Sequence, residues 1–194
     1  MSNEMSRWWT WVVLLLALYI VAPPIVSAQA GSPDTGELAV FGGGTFGMGS
    51  HPAVGGSAGK AFSRYAMMVI DAAYQPLGQN ALQSSISPST VRDSHLWDFD
   101  FNIHIRVPVN DRWEPYGIAG VGFLWNHASQ NLAAPEGNTL AHNLDHFSGS
   151  FVTGGGLRYY VRENWGIQPE VKVIVSTRVF TRVSVGVFYD ISGF

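Results

Sequence analysis

A segment near the middle of the chain alternates strictly between apolar and polar residues. In "LWDFDFNIHIRV", residues 96–107, apolar side chains occupy every second position from Trp97 to Val107. A period of two residues predicts a β-strand with one apolar and one polar face. In a soluble sheet the apolar face packs into the core. In a membrane barrel the apolar face contacts lipid, and the polar face points into the lumen.

The same kind of pattern predicts eight strands after the N-terminal segment. The predicted strands cover residues 37–46, 53–62, 65–76, 95–107, 112–125, 147–161, 165–176 and 180–191. Most are at least as long as the roughly 9–11 residues of a membrane strand, whereas globular strands average about 5–6 residues. The first three strands and the fifth are too rich in Gly and Ala for their two faces to be assigned. No segment after the N-terminus has a convincing helical period.

The predicted connections alternate between tight and long. Tight turns are expected at residues 62–65, 108–111 and 162–164. Long loops are expected at residues 77–94 and 126–146, and the short connection at 176–179 departs from the alternation. Outer-membrane barrels have short periplasmic turns, longer outside loops and an even number of strands. The connections therefore favour an eight-stranded antiparallel up-and-down transmembrane β-barrel.

Tryptophans lie near both ends of the predicted strands. Trp113 and Trp165 follow tight turns, whereas Trp97 and Trp125 border the long loops. Aromatic side chains are enriched at the two interfaces of a bilayer. The four tryptophans are therefore predicted to form two aromatic belts, although in a soluble sandwich they would be core residues.

The composition agrees with a lipid-facing exterior. Charged residues make up 13% of the chain, about half of the roughly 25% found in soluble domains. The net charge of −3 and the lack of a Lys/Arg run argue against a nucleic-acid partner. The absence of cysteine excludes disulfides and thiolate chemistry.

The N-terminus has the features of an export signal. Arg7 precedes an apolar run at residues 8–22, and prolines 23 and 24 end it. Small residues then offer two cleavage sites, "VSA" at 26–28 and "AQA" at 28–30. We predict a cleavable signal peptide at residues 1–30 and a barrel domain at residues 31–194. The alternative, an uncleaved anchor, is disfavoured because a spanning helix needs about 20 apolar residues.

The polar faces of the strands carry charges of both signs. The predicted lumen network consists of Asp98, Asp100, His104, Arg106, Arg158, Glu170, Lys172, Arg182 and Asp190. An eight-stranded barrel is only wide enough inside for its own side chains, and an unpaired buried charge is costly. We therefore expect these residues to pair across the lumen, which leaves no open pore.

Three segments resemble a known family. They are "WEPYGIAGVGF" (113–123), "GGGLRYYVRENWGIQPEVKV" (154–173) and the terminal "VSVGVFYDISGF". They are similar to the outer-membrane β-barrel domain family, which includes the transmembrane domain of outer-membrane protein A and its small relatives. The resemblance covers residues 37–194 and is specific for architecture rather than function.

The resemblance implies insertion by the barrel-assembly machinery, which reads the last strand and its terminal Phe194. Phe194 departs from the pattern because the lipid-facing positions of the last strand are odd-numbered through Ile191. No peptidoglycan-binding domain is expected after the barrel.

Candidate chemistry is sparse, and no cofactor or catalytic residue is predicted. "HNLDH" would place His142, Asp145 and His146 on one face of a helix, where they could ligate a transition metal; polar loop filler is the plainer interpretation. "HFS" at 146–148 is similar to the His-x-Ser of lipid A deacylases, in which the His activates the Ser. The match is only three residues long. The glycine clusters lie in strand contexts, where they relieve crowding or bend the wall.

The sequence therefore predicts a non-enzymatic protein of the bacterial outer membrane. Its partners would be outer-membrane lipid, the assembly machinery and an extracellular ligand bound by loops 77–94 and 126–146. Three alternatives remain at this point: a soluble periplasmic barrel that binds a small apolar ligand, a lipid A-modifying hydrolase, and a narrow ion channel.

Overall fold

Eight antiparallel strands close into a single barrel in the computed structural model, which describes residues 35–47, 49–77, 90–133 and 139–192. The strands are β1 Thr35–Phe46, β2 His51–Ser63, β3 Ala66–Pro76, β4 Thr90–Arg106, β5 Trp113–Ala133, β6 Thr139–Arg162, β7 Trp165–Val175 and β8 Val179–Ser192. Each strand pairs with its sequence neighbours, and β1 pairs with β8 from Thr35↔Ser192 to Phe46↔Thr181. The predicted fold class is confirmed. No helix in the described ranges is long and apolar enough to cross a membrane.

The prediction of a long loop at residues 126–146 is wrong for most of the segment. β5 and β6 remain paired as far as Ala133↔Thr139, so the segment is mainly a β-hairpin. The predicted loop at 77–94 is shortened too, because β4 begins at Thr90. The apolar alternation ends near Trp125, but backbone pairing continues without it, because a strand in water does not need apolar side chains facing outward.

The apolar side chains of the wall face outward, and the charged ones face inward. Phe151 is 71% exposed, whereas Arg158 is 0% exposed. The strongly exposed apolar residues include Leu38, Val40, Ile70, Ile105, Val121, Phe123, Val185 and Val187. The alternative of a soluble barrel with an apolar pocket is therefore wrong, because the alternating apolar side chains face outward instead of lining a pocket.

The structure assigns the faces of the Gly/Ala-rich strands. In β1 to β3 the small residues Ala39, Ala53, Ala61 and Ala73 are buried inside the barrel. Small inward side chains on this side leave room for the arginine and aromatic side chains of the opposite wall. Lys60 is an exception to the inward placement of charged side chains. It lies on the outward face of β2, near the tight turn to β3.

Two glycines show how the wall accommodates large side chains. A Cβ at Gly55 would lie 2.5 Å from Cζ of Phe41, and a Cβ at Gly156 would overlap the hydroxyl of Tyr116. The glycines therefore provide space for inward aromatic rings, and Gly156 belongs to the glycine cluster at 154–156.

Candidate functional site

The interior at the tight-turn end of the barrel is organised by Arg158. Its guanidinium donates to Oε1 of Glu114 at 2.9 Å and to Oε1 of Glu37 at 3.0 Å. The same group lies 4.8 Å from the ring centre of Tyr116, which stacks on His104. Arg158 is fully buried, so the two carboxylates supply the negative charge that offsets its desolvation.

A second layer of charges occupies the middle of the barrel. Nζ of Lys172 lies 2.8 Å from Asp71, and Nη1 of Arg182 lies 2.8 Å from Asp98. Asp100 lies between them, with Oδ2 at 3.5 Å from Arg182 and 4.0 Å from Lys172. These contacts connect β3, β4, β7 and β8 across the lumen.

Further residues complete these layers. Tyr116 donates to Oε2 of Glu170 at 2.9 Å, and Nη2 of Arg106 donates to the carbonyl of Ser63 at 2.8 Å. The predicted lumen residue Asp190 is only half-buried in β8. The predicted lumen residues thus lie on the inward face, with most of them in the two layers.

Sequence reasoning missed three inward carboxylates, Glu37, Asp71 and Glu114. Glu37 and Asp71 belong to strands whose faces could not be assigned, and Glu114 precedes Pro115 in another such strand. The predicted set of lumen charges was therefore incomplete, and buried carboxylates outnumber buried basic groups inside the barrel. Both carboxylate oxygens of Asp100 lack a hydrogen-bond partner within the described part of the chain, although Oδ2 lies 3.5 Å from Arg182.

Apolar side chains fill the lumen beyond the charged layers. Towards the long connections, Leu77, Leu96, Leu124, Ile174 and Phe180 belong to one buried cluster. Ala39, Tyr160 and Phe188 form another cluster near the tight-turn end. The lumen is therefore occupied by side chains over its described length.

The four predicted belt tryptophans lie at two levels of the outer wall. Trp97 and Trp125 are register partners, and Trp125 stacks on Phe147 with ring centres 5.7 Å apart. At the opposite end, Trp113 packs on Tyr159 at 4.6 Å. Trp165 lies in register with the exposed Tyr189 at the same end. This placement suits two bilayer interfaces.

The helical geometry proposed for "HNLDH" is wrong, because β6 spans these residues. Side chains alternate along a strand, so Asp145 faces away from the side of His146, and the His142 side chain is not described. No group of three potential ligands suited to a metal ion occurs among the described residues.

Asp145 instead contacts a histidine of the neighbouring strand. Its Oδ1 lies 2.6 Å from Nδ1 of His127, and this hydrogen bond holds the pKa of the Asp145 carboxyl below its usual range. His127 in turn faces His95 of β4, with ring centres 5.0 Å apart. The three residues form one row across three strands on the outer wall.

The "HFS" pair lies on the inward side of β6. Ser148 shares a face with the buried Ser150, and its Oγ accepts a hydrogen bond from Ser176 at 3.2 Å. No described carboxylate hydrogen bonds to His146. A lipid-directed nucleophile would need to reach the outer surface, which this serine does not face.

Comparison with known proteins agrees with the architecture. Solved structures similar to the chain include Ail, the attachment invasion locus protein of Yersinia pestis, at 12% identity and a TM-score of 0.55, covering 82% of this chain and 100% of that one. The N-terminal β-barrel domain of Pseudomonas aeruginosa OprF matches at 16% identity and a TM-score of 0.52, covering 82% and 98%. Neisserial surface protein A matches at 15% identity and a TM-score of 0.53, covering 81% and 97%.

These likenesses show the fold, an eight-stranded antiparallel β-barrel. A family model for the outer membrane protein beta-barrel domain matches residues 12–189, and the chain belongs to this family. No curated protein sequence matches the chain. In outer-membrane barrels the short turns are periplasmic and the longer connections face outward. The predicted signal peptide at 1–30 and assembly residue Phe194 lie outside the described residues and stay predictions.

Proposed function

We propose that the protein is a non-enzymatic outer-membrane barrel whose role is structural or interactive and is carried by its extracellular parts. The observation that carries this proposal is an occluded barrel with a wall that projects beyond the outer aromatic belt. The occluded lumen does not suit transport, and the projecting wall suits contact with a partner outside the cell.

The filled lumen argues against the ion-channel alternative. Arg158, Lys172 and Arg182 are each at most 1% exposed and are bound to carboxylates from other strands. Moving these side chains aside would leave buried charges without partners, which is strongly unfavourable. The apolar cluster around Phe180 fills the lumen above them.

The β5–β6 hairpin is the part best suited to an interaction. From Trp125 to Ala133 the strand spans roughly 26 Å at about 3.3 Å per residue. Residues 126–146 contain no Lys or Arg and are rich in Asn, His and Ala. Such a surface favours a neutral, hydrogen-bonding partner over one that is attracted by charge.

The inward direction of Ser148 argues against the lipid A hydrolase. Attack on an acyl ester requires the hydroxyl, an activating His and the substrate within hydrogen-bond reach of one another. Here the hydroxyl is bonded to Ser176 inside the barrel, away from the lipid-facing wall. The lipid A of cells that express the protein should therefore be unchanged by mass spectrometry.

A trimmed hairpin tests the proposal. Replacing residues 130–142 by Asn-Gly joins Ser129 to its register partner Asn143 through a two-residue turn. The full chain and the trimmed variant, each in lipid nanodiscs, are compared on arrays of neutral glycans and extracellular proteins.

We expect the full chain to bind a member of the array and the trimmed variant to lose this binding. Both proteins should keep the mobility shift between boiled and unboiled samples on gels, which reports an intact barrel. Equal binding by both proteins, or new lipid A species on expression, would contradict the proposal.

A further inference from the structure

A row of three polar side chains crosses the outer wall just above the aromatic belt. His95 of β4 is the register partner of His127 of β5, which is the register partner of Asp145 of β6. Each residue lies two positions beyond Trp97, Trp125 or Phe147 in the same strand, which is about 7 Å further from the membrane centre along the strand. The row is therefore outside the hydrocarbon and accessible to ions.

The carboxylate determines which nitrogen of His127 is free. Oδ1 of Asp145 lies 2.6 Å from Nδ1 and also accepts a hydrogen bond from Nε1 of Trp125 at 3.4 Å. Because a carboxylate accepts, Nδ1 is the donor in this hydrogen bond, and Nε2 is the ring nitrogen available to a metal ion. A histidine held in this way by a carboxylate is the usual arrangement behind a metal ligand.

The spacing of the two imidazoles fits a shared ion. Two imidazole nitrogens at about 2.0–2.1 Å from one tetrahedral ion put their ring centres roughly 5 Å apart. The centres of His95 and His127 are 5.0 Å apart, with the ring planes inclined by 32°. Both side chains are partly exposed, so an ion can enter without disturbing the barrel.

The local charge favours a cation over an anion. The carboxylate of Asp145 places negative charge 2.6 Å from the His127 ring and in the same row as His95. The same face carries no Lys or Arg at the neighbouring belt positions, which are aromatic. A phosphate group would therefore meet a carboxylate instead of a basic partner.

We propose that His95 and His127 bind a divalent transition-metal ion, with Asp145 positioning His127 and water completing the coordination. Imidazole ligands favour Zn²⁺, Cu²⁺ or Ni²⁺ over Mg²⁺ and Ca²⁺. The site uses two protein ligands, so it would load only when the metal is plentiful. It is independent of the proposed interaction and differs from the His142, Asp145 and His146 set.

Metal titration of the refolded, untagged barrel in detergent tests this site. We expect calorimetry with ZnCl₂ to show one site, and the spectrum of the Cu²⁺-loaded protein in electron paramagnetic resonance to show two nitrogen ligands. His95→Gln and His127→Gln should each weaken Zn²⁺ binding at least tenfold. His146→Gln is the matched control, because this residue is on the opposite face of the same hairpin, and it should bind like the wild type.

The role of Asp145 is tested by two variants. Asp145→Asn keeps an acceptor for Nδ1 of His127, so it should bind Zn²⁺ more tightly than Asp145→Ala, whose affinity should fall about 10-fold or more. The gel mobility shift verifies folding of every variant. The proposal is overturned if the wild type binds no metal, or if His146→Gln or His142→Gln removes binding while His95→Gln does not. The trimmed hairpin keeps all three residues, so failure of the interaction proposal leaves this result unaffected.

Discussion

At the scale of single residues, the barrel depends on a few buried cations. Arg158 serves two carboxylates, Glu37 and Glu114, at 3.0 and 2.9 Å. Burial of the guanidinium is tolerated because the two carboxylates balance its charge and also accept hydrogen bonds from its N–H groups. The ion pair therefore specifies how β1, β5 and β6 face one another inside the wall.

Replacing this arginine by an apolar residue of similar length should destabilise the barrel. Arg158→Met leaves Glu37 and Glu114 buried with much less compensation, since only Arg106 remains near Glu114, at 3.7 Å. We expect a loss of about 3–5 kcal/mol in the free energy of unfolding, which is typical when one partner of a buried pair is removed. Urea unfolding in lipid vesicles, followed by tryptophan fluorescence, measures it.

Arg178→Met is the matched control, because Arg178 is exposed in the connection between β7 and β8. A surface change of this kind alters stability by less than about 0.5 kcal/mol. Adding Glu37→Gln and Glu114→Gln to Arg158→Met should restore part of the loss. Equal stability of the two arginine variants would show that the buried pair contributes nothing.

At the scale of the strands, depth in the bilayer determines what each outward position tolerates. Val121 is 52% exposed and pairs with Phe101 on one side and Phe151 on the other. It lies well between the belt residues Trp113 and Trp125 of its strand, in the hydrocarbon region. An outward position of this kind accepts apolar side chains because nothing there can solvate a charge.

Val121→Arg should therefore be costly, whereas the same change near water should not. We expect Val121→Arg to lower the free energy of unfolding in vesicles by about 2–4 kcal/mol, as for Arg at the bilayer midplane. Val109→Arg in the periplasmic turn, where the side chain is 66% exposed, should change it by less than about 0.5 kcal/mol. If both variants were equally stable, the apolar face would not contact lipid.

At the scale of the whole molecule, closure between β1 and β8 brings charges from distant parts of the chain into one narrow interior. The layers are occupied by side chains from most strands, and the apolar cluster near the outer end contains Leu96 and Phe180. A barrel filled in this way leaves no room for a ligand in its interior, which is why the proposed interaction is assigned to the parts outside the membrane.

Purified protein in planar bilayers should accordingly show no discrete conductance. Charge removal in the middle layer, by Lys172→Met together with Asp71→Asn, should keep the bilayer silent, since the neighbouring side chains still fill the lumen. Antibody or protease accessibility of the hairpin verifies that the protein is inserted in the same membrane. Steady channels whose selectivity changes in the double variant would instead support the ion-channel alternative.

Much of the architecture was predictable from local patterns. The alternation through Trp97–Val107 indicated a strand with one apolar and one polar face, and the long strands with alternating connections indicated eight strands. The extent of the β5–β6 hairpin was not predictable, because its strands continue into water, where the apolar pattern no longer applies. The inward and outward faces of β1 to β3 could not be assigned from the sequence either, because Gly and Ala are neither clearly apolar nor clearly polar.

The sequence by itself determined the class of the protein. Alternation reflects the different surroundings of the two strand faces, and low charge and long strands are typical of a barrel in lipid. Only the tertiary structure decided which groups meet. Arg158 reaches Glu37 across 121 positions of the chain, and Lys172 reaches Asp71 across 101. The His95–His127–Asp145 row likewise depends on the register between three strands. Such contacts follow from barrel closure and register, which are properties of strand pairing between distant segments and leave no local pattern in the sequence.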